Sequence, residues 1–251
     1  MNIHHFYIEK GQGEPLILLH GNRESSHYFV NQIEDFSRFF HVYAIDTRGH
    51  GRTPRGTQPF TIKQFADDLL RFMDEHQIAK ANLLGFSDGA NIAMVFAIDY
   101  PERVNLLVLN GANQSTHGVK RMIQVLIEIG YKIAKRFAGR SDVARRNAEM
   151  LELMVNELNV PVPALSGIKA KTLVIAGTND LIKETHTRFI ADHIPGSELI
   201  FIKGNHFIAN KKSRAFNEAV LKFLTGEREI PCIRKKKSKA AYEMGAAINK
   251  N

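Results

Sequence analysis

Gly85-Phe86-Ser87-Asp88-Gly89 lies between Ala81-Asn82-Leu83-Leu84, which reads as a short strand, and Ala90 to Ala97, which reads as a helix. A chain passes from extended to helical within a few residues only through a sharp turn, whose central residue takes a strained backbone conformation. Glycines at 85 and 89 remove the Cβ atoms that would collide in such a turn. Ser87 is then raised above the strand ends. The residue after it opens a helix, so free N–H groups and the positive end of the helix dipole face the same spot. A strand–G-x-S-x-G–helix unit of this kind presents a nucleophile.

Other segments repeat the pattern of a short apolar strand followed by a polar loop. Pro15 to Leu19 is a continuous apolar run, too short for a helix, and ends in His20-Gly21-Asn22. His41 to Asp46 leads into Thr47-Arg48-Gly49-His50-Gly51-Arg52-Thr53. Lys171 to Ala176 leads into Gly177-Thr178-Asn179-Asp180, a helical stretch runs from Lys183 to His193, and Ser197 to Ile202 leads into Lys203-Gly204-Asn205-His206-Phe207. Strands alternating with helices predict an α/β domain with a mostly parallel sheet.

In this order the strand followed by H-G-x, the D-x-R-G-x-G turn and the G-x-S-x-G elbow make the chain resemble the α/β-hydrolase family over residues 3–225. The resemblance implies an α/β-hydrolase fold, a mostly parallel seven- or eight-stranded sheet flanked by helices with a small helical cap. Only Asn2 to Glu9 precede Gly11-Gln12-Gly13, which leaves room for one or two short edge strands. It also implies a triad in the order Ser87, Asp180, His206, with His206 as base and Asp180 as the residue that orients it. The acid and the histidine are 26 residues apart, one helix and one strand, so both fall at the same end of adjacent parallel strands. Backbone N–H groups of Asn22 and Asp88 would form the oxyanion hole.

Competing roles can be weighed on chemistry. Some relatives place the acid after the strand Val104 to Leu109, but here Asn110 stands there, and an amide carries no negative charge. Asp46 belongs to the D-x-R-G turn, where a structural cap or a pair with Arg48 is expected. His20 and His50 are expected to scaffold their loops, and His186 and His193 to lie on a helix surface. A serine at the elbow, where haloalkane dehalogenase-like and epoxide hydrolase-like relatives use Asp, points to acyl transfer to a hydroxyl. The G-x-S-D-G form is similar to valacyclovir-hydrolase-like and bacterial esterase-like sequences.

Residues 113–163 interrupt the alternation and read as two helices, a cap over the site. Asp142 is the expected N-cap of the second helix, which should reach Leu158. Met122, Ile123 and Leu126 on the first helix and Met150 and Met154 on the second are the expected apolar pocket lining, adaptable in shape. The domain plan is therefore a core of residues 1–112 and 164–225, the cap, and a basic extension over 226–251.

The formal net charge is +8. Residues 117–150 hold 8 Lys/Arg against 3 Asp/Glu, and residues 226–251 hold 7 against 3. The run Arg234-Lys235-Lys236-Lys237-Ser238-Lys239 lacks the interleaved aromatics of a nucleic-acid surface, so no nucleic-acid partner is expected. No membrane span is expected, the N-terminus carries no leader pattern, and the single Cys232 fits a reducing compartment. Together these predict a cytoplasmic enzyme without metal or cofactor. The expected activity is that of a serine hydrolase, a carboxylesterase acting on small to medium apolar esters or related acyl compounds. The same triad could serve carbon–carbon hydrolysis, lyase or acyl-transfer chemistry, and the fold could serve ligand binding with little turnover. The oligomeric state is left open.

Overall fold

The computed structural model describes residues 3–156 and 159–226. Seven strands form one sheet: β1 (Tyr7–Lys10), β2 (Pro15–Leu19), β3 (His41–Ile45), β4 (Ala81–Phe86), β5 (Val104–Asn110), β6 (Lys171–Asn179) and β7 (Glu198–Asn205). Their order is β1-β3-β2-β4-β5-β6-β7. β1 pairs with β3 antiparallel and every other neighbour is parallel. The single strand before Gly11 decides the expected choice of seven or eight in favour of seven.

The helices are α1 (Val30–Phe36), α2 (Ile62–Glu75), α3 (Asp88–Asp99), α4 (Arg121–Phe137), α5 (Asp142–Val155), α6 (Val162–Leu165), α7 (Glu184–His193), α8 (Ile208–Lys211) and α9 (Ser213–Thr225). The inner strands are apolar at successive positions because both faces of the sheet are covered. Ile17, Leu19, Leu83, Leu107 and Leu109 pack with Phe65, Leu69, Phe72, Ile92, Phe96 and Ile190 of α2, α3 and α7. Leu16, Leu18, Leu84, Val108 and Ile175 pack with Ile33, Phe36, Phe216, Val220 and Leu224 of α1 and α9. Period-two alternation thus sorts each strand between two cores.

The register brings the strand ends into line. Leu19 stands opposite Gly85, Gly85 opposite Leu109, and Asn110 opposite both Phe86 and Ile175. The loops after β2, β4, β5 and β6 therefore leave one edge of the sheet together, where ligands bind in folds of this class.

The stretch between β5 and β6 holds α4, α5 and α6. Its base is tied to the loop after β6: Lys120 N–H donates to Leu181 O at 2.9 Å, and Lys183 N–H to Gly118 O at 2.8 Å. α5 is capped by Ser141, whose hydroxyl accepts from Ala144 N–H, and not by Asp142, which is the first helical residue. Ser141 takes the cap because its extended backbone points the hydroxyl at the free N–H groups. α5 ends at Val155, and Leu158 lies outside the described residues. Cys232 and the 234–239 run lie outside them too. Among the described residues no helix is long and apolar enough to cross a membrane.

Candidate active site

Ser87 has φ 53° and ψ −119°, a conformation that side chains rarely adopt. The surrounding backbone over-determines it. Ser87 N–H donates to Asn110 O at 2.8 Å, and its own carbonyl accepts from Ala90 N–H at 2.9 Å. A Cβ at Gly85 would run into the backbone of Gly89 and Ala90, and one at Gly89 into the carbonyls of Leu19 and His20. The elbow glycines are thus required by the close approach of α3 to β4 and β2.

Asp180 and His206 meet at the ends of β6 and β7. His206 Nδ1–H donates to Asp180 Oδ1 at 2.7 Å, and both residues are buried. That bond fixes the tautomer, so the neutral ring keeps its Nε2 lone pair. Asp180 also accepts from Ile182 N–H at 3.0 Å and Gly177 N–H at 3.4 Å. Burial alone would raise its pKa, but the His206 hydrogen bond, the His206 charge and the two N–H donors outweigh it and hold the carboxyl below its ordinary value. The imidazole packs on Gly111, the residue after the Asn110 carbonyl that holds Ser87, and on the Phe86 ring at a centroid distance of 4.8 Å. Residues on both sides of the elbow therefore border His206.

Asn22 and Asp88 are the next neighbours. Asp88 opens α3, so its N–H has no carbonyl of its own helix to meet. Gly21 passes so close to the elbow that a Cβ there would lie 3.1 Å from Ser87 Cβ. Asn22 then reaches across: its Nδ2 donates to Asp88 Oδ2 at 2.8 Å and to Met150 O at 2.7 Å. Burial is the largest influence on Asp88 and raises its pKa, against the opposing pull of Asn22, His206 and Asn91. These side-chain bonds have no signature in the sequence, because the partners are 66 and 128 residues apart. Asn91, which donates to Asp88 and to Asn113 Oδ1, was likewise hidden inside an apolar helix pattern.

The D-x-R-G loop supports the site from below. Asp46 Oδ1 accepts from Ser26 N–H at 2.6 Å and Oδ2 from Arg52 N–H at 2.8 Å. Asp46 caps its loop, but Arg48 does not pair with it. Arg48 is buried and makes a two-point pair with Asp68 of α2, at 2.6 and 2.7 Å. His20 Nδ1–H donates to Gly21 O at 2.7 Å and its Nε2 accepts from Thr47 N–H at 3.0 Å, which braces the β2 and β3 loops against each other. Burial and, next, the neighbouring His50 hold its pKa down at about 3.

Two expectations about exposed or lining residues are corrected. His186 is not a surface residue: it is half-buried, its Nε2 accepts from Gln114 N–H at 3.2 Å, and burial lowers its pKa to about 4. Met122 and Leu126 face solvent on the outer side of α4, with Ile123 at the edge of that side, while α4 turns Tyr131, Ile127 and Gln124 inward. Periodicity finds the apolar face of a helix but not the direction in which it points. Met150 and Met154 on α5 are half-buried, and α5 is the helix that touches the site loops, through Met150 O and a 2.7 Å Glu149–Arg55 ion pair.

The family model described as the alpha/beta hydrolase fold matches residues 14–148, more than half of the chain. This chain belongs to the α/β hydrolase fold family. It is similar to (E)-2-((N-methylformamido)methylene)succinate hydrolase of Acinetobacter baylyi, 27% identical over 199 residues that cover 69% of this chain and 75% of that protein. It is also similar to 3-oxoadipate enol-lactonase 2 of the same organism, 28% identical over 241 residues, 85% of this chain and 90% of that protein. Among solved structures, Est816, described as an N-acyl homoserine lactone degrading enzyme, superimposes with a TM-score of 0.74 at 25% identity over 88% of this chain and 97% of that one. As an α/β hydrolase-fold protein the chain keeps the seven-stranded sheet and carries its candidate groups on the four loops aligned by strand register.

Proposed function

We propose that this α/β hydrolase is a serine hydrolase that cleaves carboxylic esters, lactones included, of small to medium apolar compounds through an acyl-enzyme. The observation that carries this reading is the buried Asp180–His206 hydrogen bond of 2.7 Å at the sheet edge where Ser87 is raised. Two of the relatives named above act on lactones, which are internal esters, and this supports the substrate class.

In the proposed reaction His206 Nε2 takes the Ser87 hydroxyl proton as Oγ attacks the carbonyl carbon. The depressed Asp180 carboxyl remains ionised, holds the ring and stabilises the imidazolium. The N–H groups of Asn22 and Asp88 receive the developing oxyanion, each lowering the barrier by about 3 kcal/mol. His206 then protonates the leaving alcohol, and the same residue activates water against the acyl-enzyme. Met150 and Met154 of α5 offer the acyl part an apolar, deformable wall on the side of the Asn22 loop.

A fluorophosphonate tests this reading. The protein is expected to be labelled once, on Ser87, and Ser87→Ala is expected to abolish both labelling and hydrolysis of short p-nitrophenyl esters while retaining the fold. Labelling that persists in Ser87→Ala would remove the assignment.

A further inference from the structure

Helix α4 is amphipathic in the outward sense. Met122, Leu126, Ile129 and Ile133 are 77, 63, 50 and 55% exposed and lie three or four residues apart, so they form one continuous apolar face over three turns. Val125 and Ile123 widen it. On an ordinary surface helix such residues face the fold. Here the inward side is already filled by Tyr131, which is buried and donates its hydroxyl to Glu152 at 2.6 Å. One rim of the apolar face carries the exposed cations Arg121, Lys132 and Arg136. The one acid of α4, Glu128, lies one turn before Lys132 on the same flank, is half-buried, accepts from Gln124 and is outnumbered by those three cations.

We propose that the outer face of α4 docks on an anionic lipid surface, its aliphatic side chains entering the acyl boundary and its cations meeting lipid headgroups. Charge decides between the possible occupants. A second copy joined through this face would bring two sets of Arg121, Lys132 and Arg136 together with only the half-buried Glu128 of each α4 to offset them. The segment 227–251 is itself strongly basic, with 7 Lys/Arg against 3 Asp/Glu, and is repelled by the same rim. A surface that is apolar within and negative at its boundary satisfies both parts of the face, the arrangement of an interfacial helix.

Vesicle cosedimentation of the full chain tests this, with a readout that does not depend on catalysis. Binding is expected to phosphatidylcholine vesicles containing about one third phosphatidylserine. It should be far weaker to pure phosphatidylcholine, and should fall as salt is raised toward about 0.5 M. Ile129→Glu/Ile133→Glu is expected to lower partitioning at least tenfold, about what the loss of two half-buried aliphatic side chains implies. Lys132→Glu/Arg136→Glu, which leaves the aliphatic face intact, should lower it by about tenfold or more. Circular dichroism verifies the fold of both, and if the first variant misfolds the second decides. Absence of cosedimentation, equal binding to both vesicle types, or either folded variant binding like the wild type overturns the proposal. So does a dimer, seen by light scattering, that the folded Ile129→Glu/Ile133→Glu variant dissociates.

Discussion

A Cβ added at Gly111 would lie 2.8 Å from His206 Cε1 and 3.0 Å from Nδ1, at a position whose φ is +63°. The imidazole is thus seated directly on backbone. Gly111→Ala is expected to strain that backbone and push the ring off its seat. A displacement of about 1 Å would lower kcat roughly a hundredfold. Stability should fall by about 1–2 kcal/mol from the left-handed alanine. Ester turnover and thermal unfolding measured on the same preparation check both parts.

Asp180 and Asp46 are both buried carboxylates, but they hold different things. Asp180 holds an imidazole as well as two backbone N–H groups, whereas Asp46 holds two backbone N–H groups. Asp180→Asn should cut kcat by about 10⁴, because the amide favours the wrong tautomer of His206, and should also lower Tm, because its NH₂ would face an N–H donor on either side. Asp46→Asn places an NH₂ against one of the two N–H donors and should cost about 1–3 kcal/mol of stability, with a smaller effect on turnover. If a well-folded Asp46→Asn is inactive and Asp180→Asn is not, the two roles are reversed.

The Arg48–Asp68 pair is fully enclosed, with side-chain exposures of 0 and 2%. Asp68→Ala would strand the guanidinium and should destabilise by about 3–5 kcal/mol. Removing both charges, as in Arg48→Met/Asp68→Leu, should recover much of that loss. Denaturant titration of the two variants separates the cost of a broken pair from the worth of an intact one.

His20 gives acid sensitivity a specific origin. Its folded-state pKa, about 3, lies below the unfolded value near 6.5. The folded protein therefore holds the ring neutral, while the unfolded chain binds a proton. The sign follows: the contribution is complete above about pH 6.5 and is lost as pH falls toward 3, at up to roughly 1.4 kcal/mol per pH unit. Protonation would also remove the acceptor for Thr47 N–H. Unfolding free energy measured from pH 8 to 4 should fall less steeply in His20→Gln than in the wild type. Equal slopes would assign the acid sensitivity to other groups.

Much of this arrangement is legible in local sequence, because strands and sharp turns are local events. The apolar runs ending at Leu19, Leu84 and Leu109, and the glycines at 85 and 89, prescribe a strand edge and a raised serine without any knowledge of the rest. The meeting of Asp180 with His206 follows from one helix and one strand between them. What stayed hidden has partners far away in the chain. Asn22 to Met150, Arg48 to Asp68 and His186 to Gln114 leave no periodicity to read. The direction of α4 was hidden for another reason. Its apolar stripe is the same whether it faces the fold or solvent, and only the seating of Tyr131 decides which.

The Asn22 amide bridges two bodies, Asp88 at the start of α3 and the Met150 carbonyl of α5. A loop that is latched this way has its shape tied to the seating of α5. Loosening the helix would release Asn22, and with it the Gly21 backbone packed against Ser87. One side-chain amide thus couples the position of α5 to the backbone packed against Ser87.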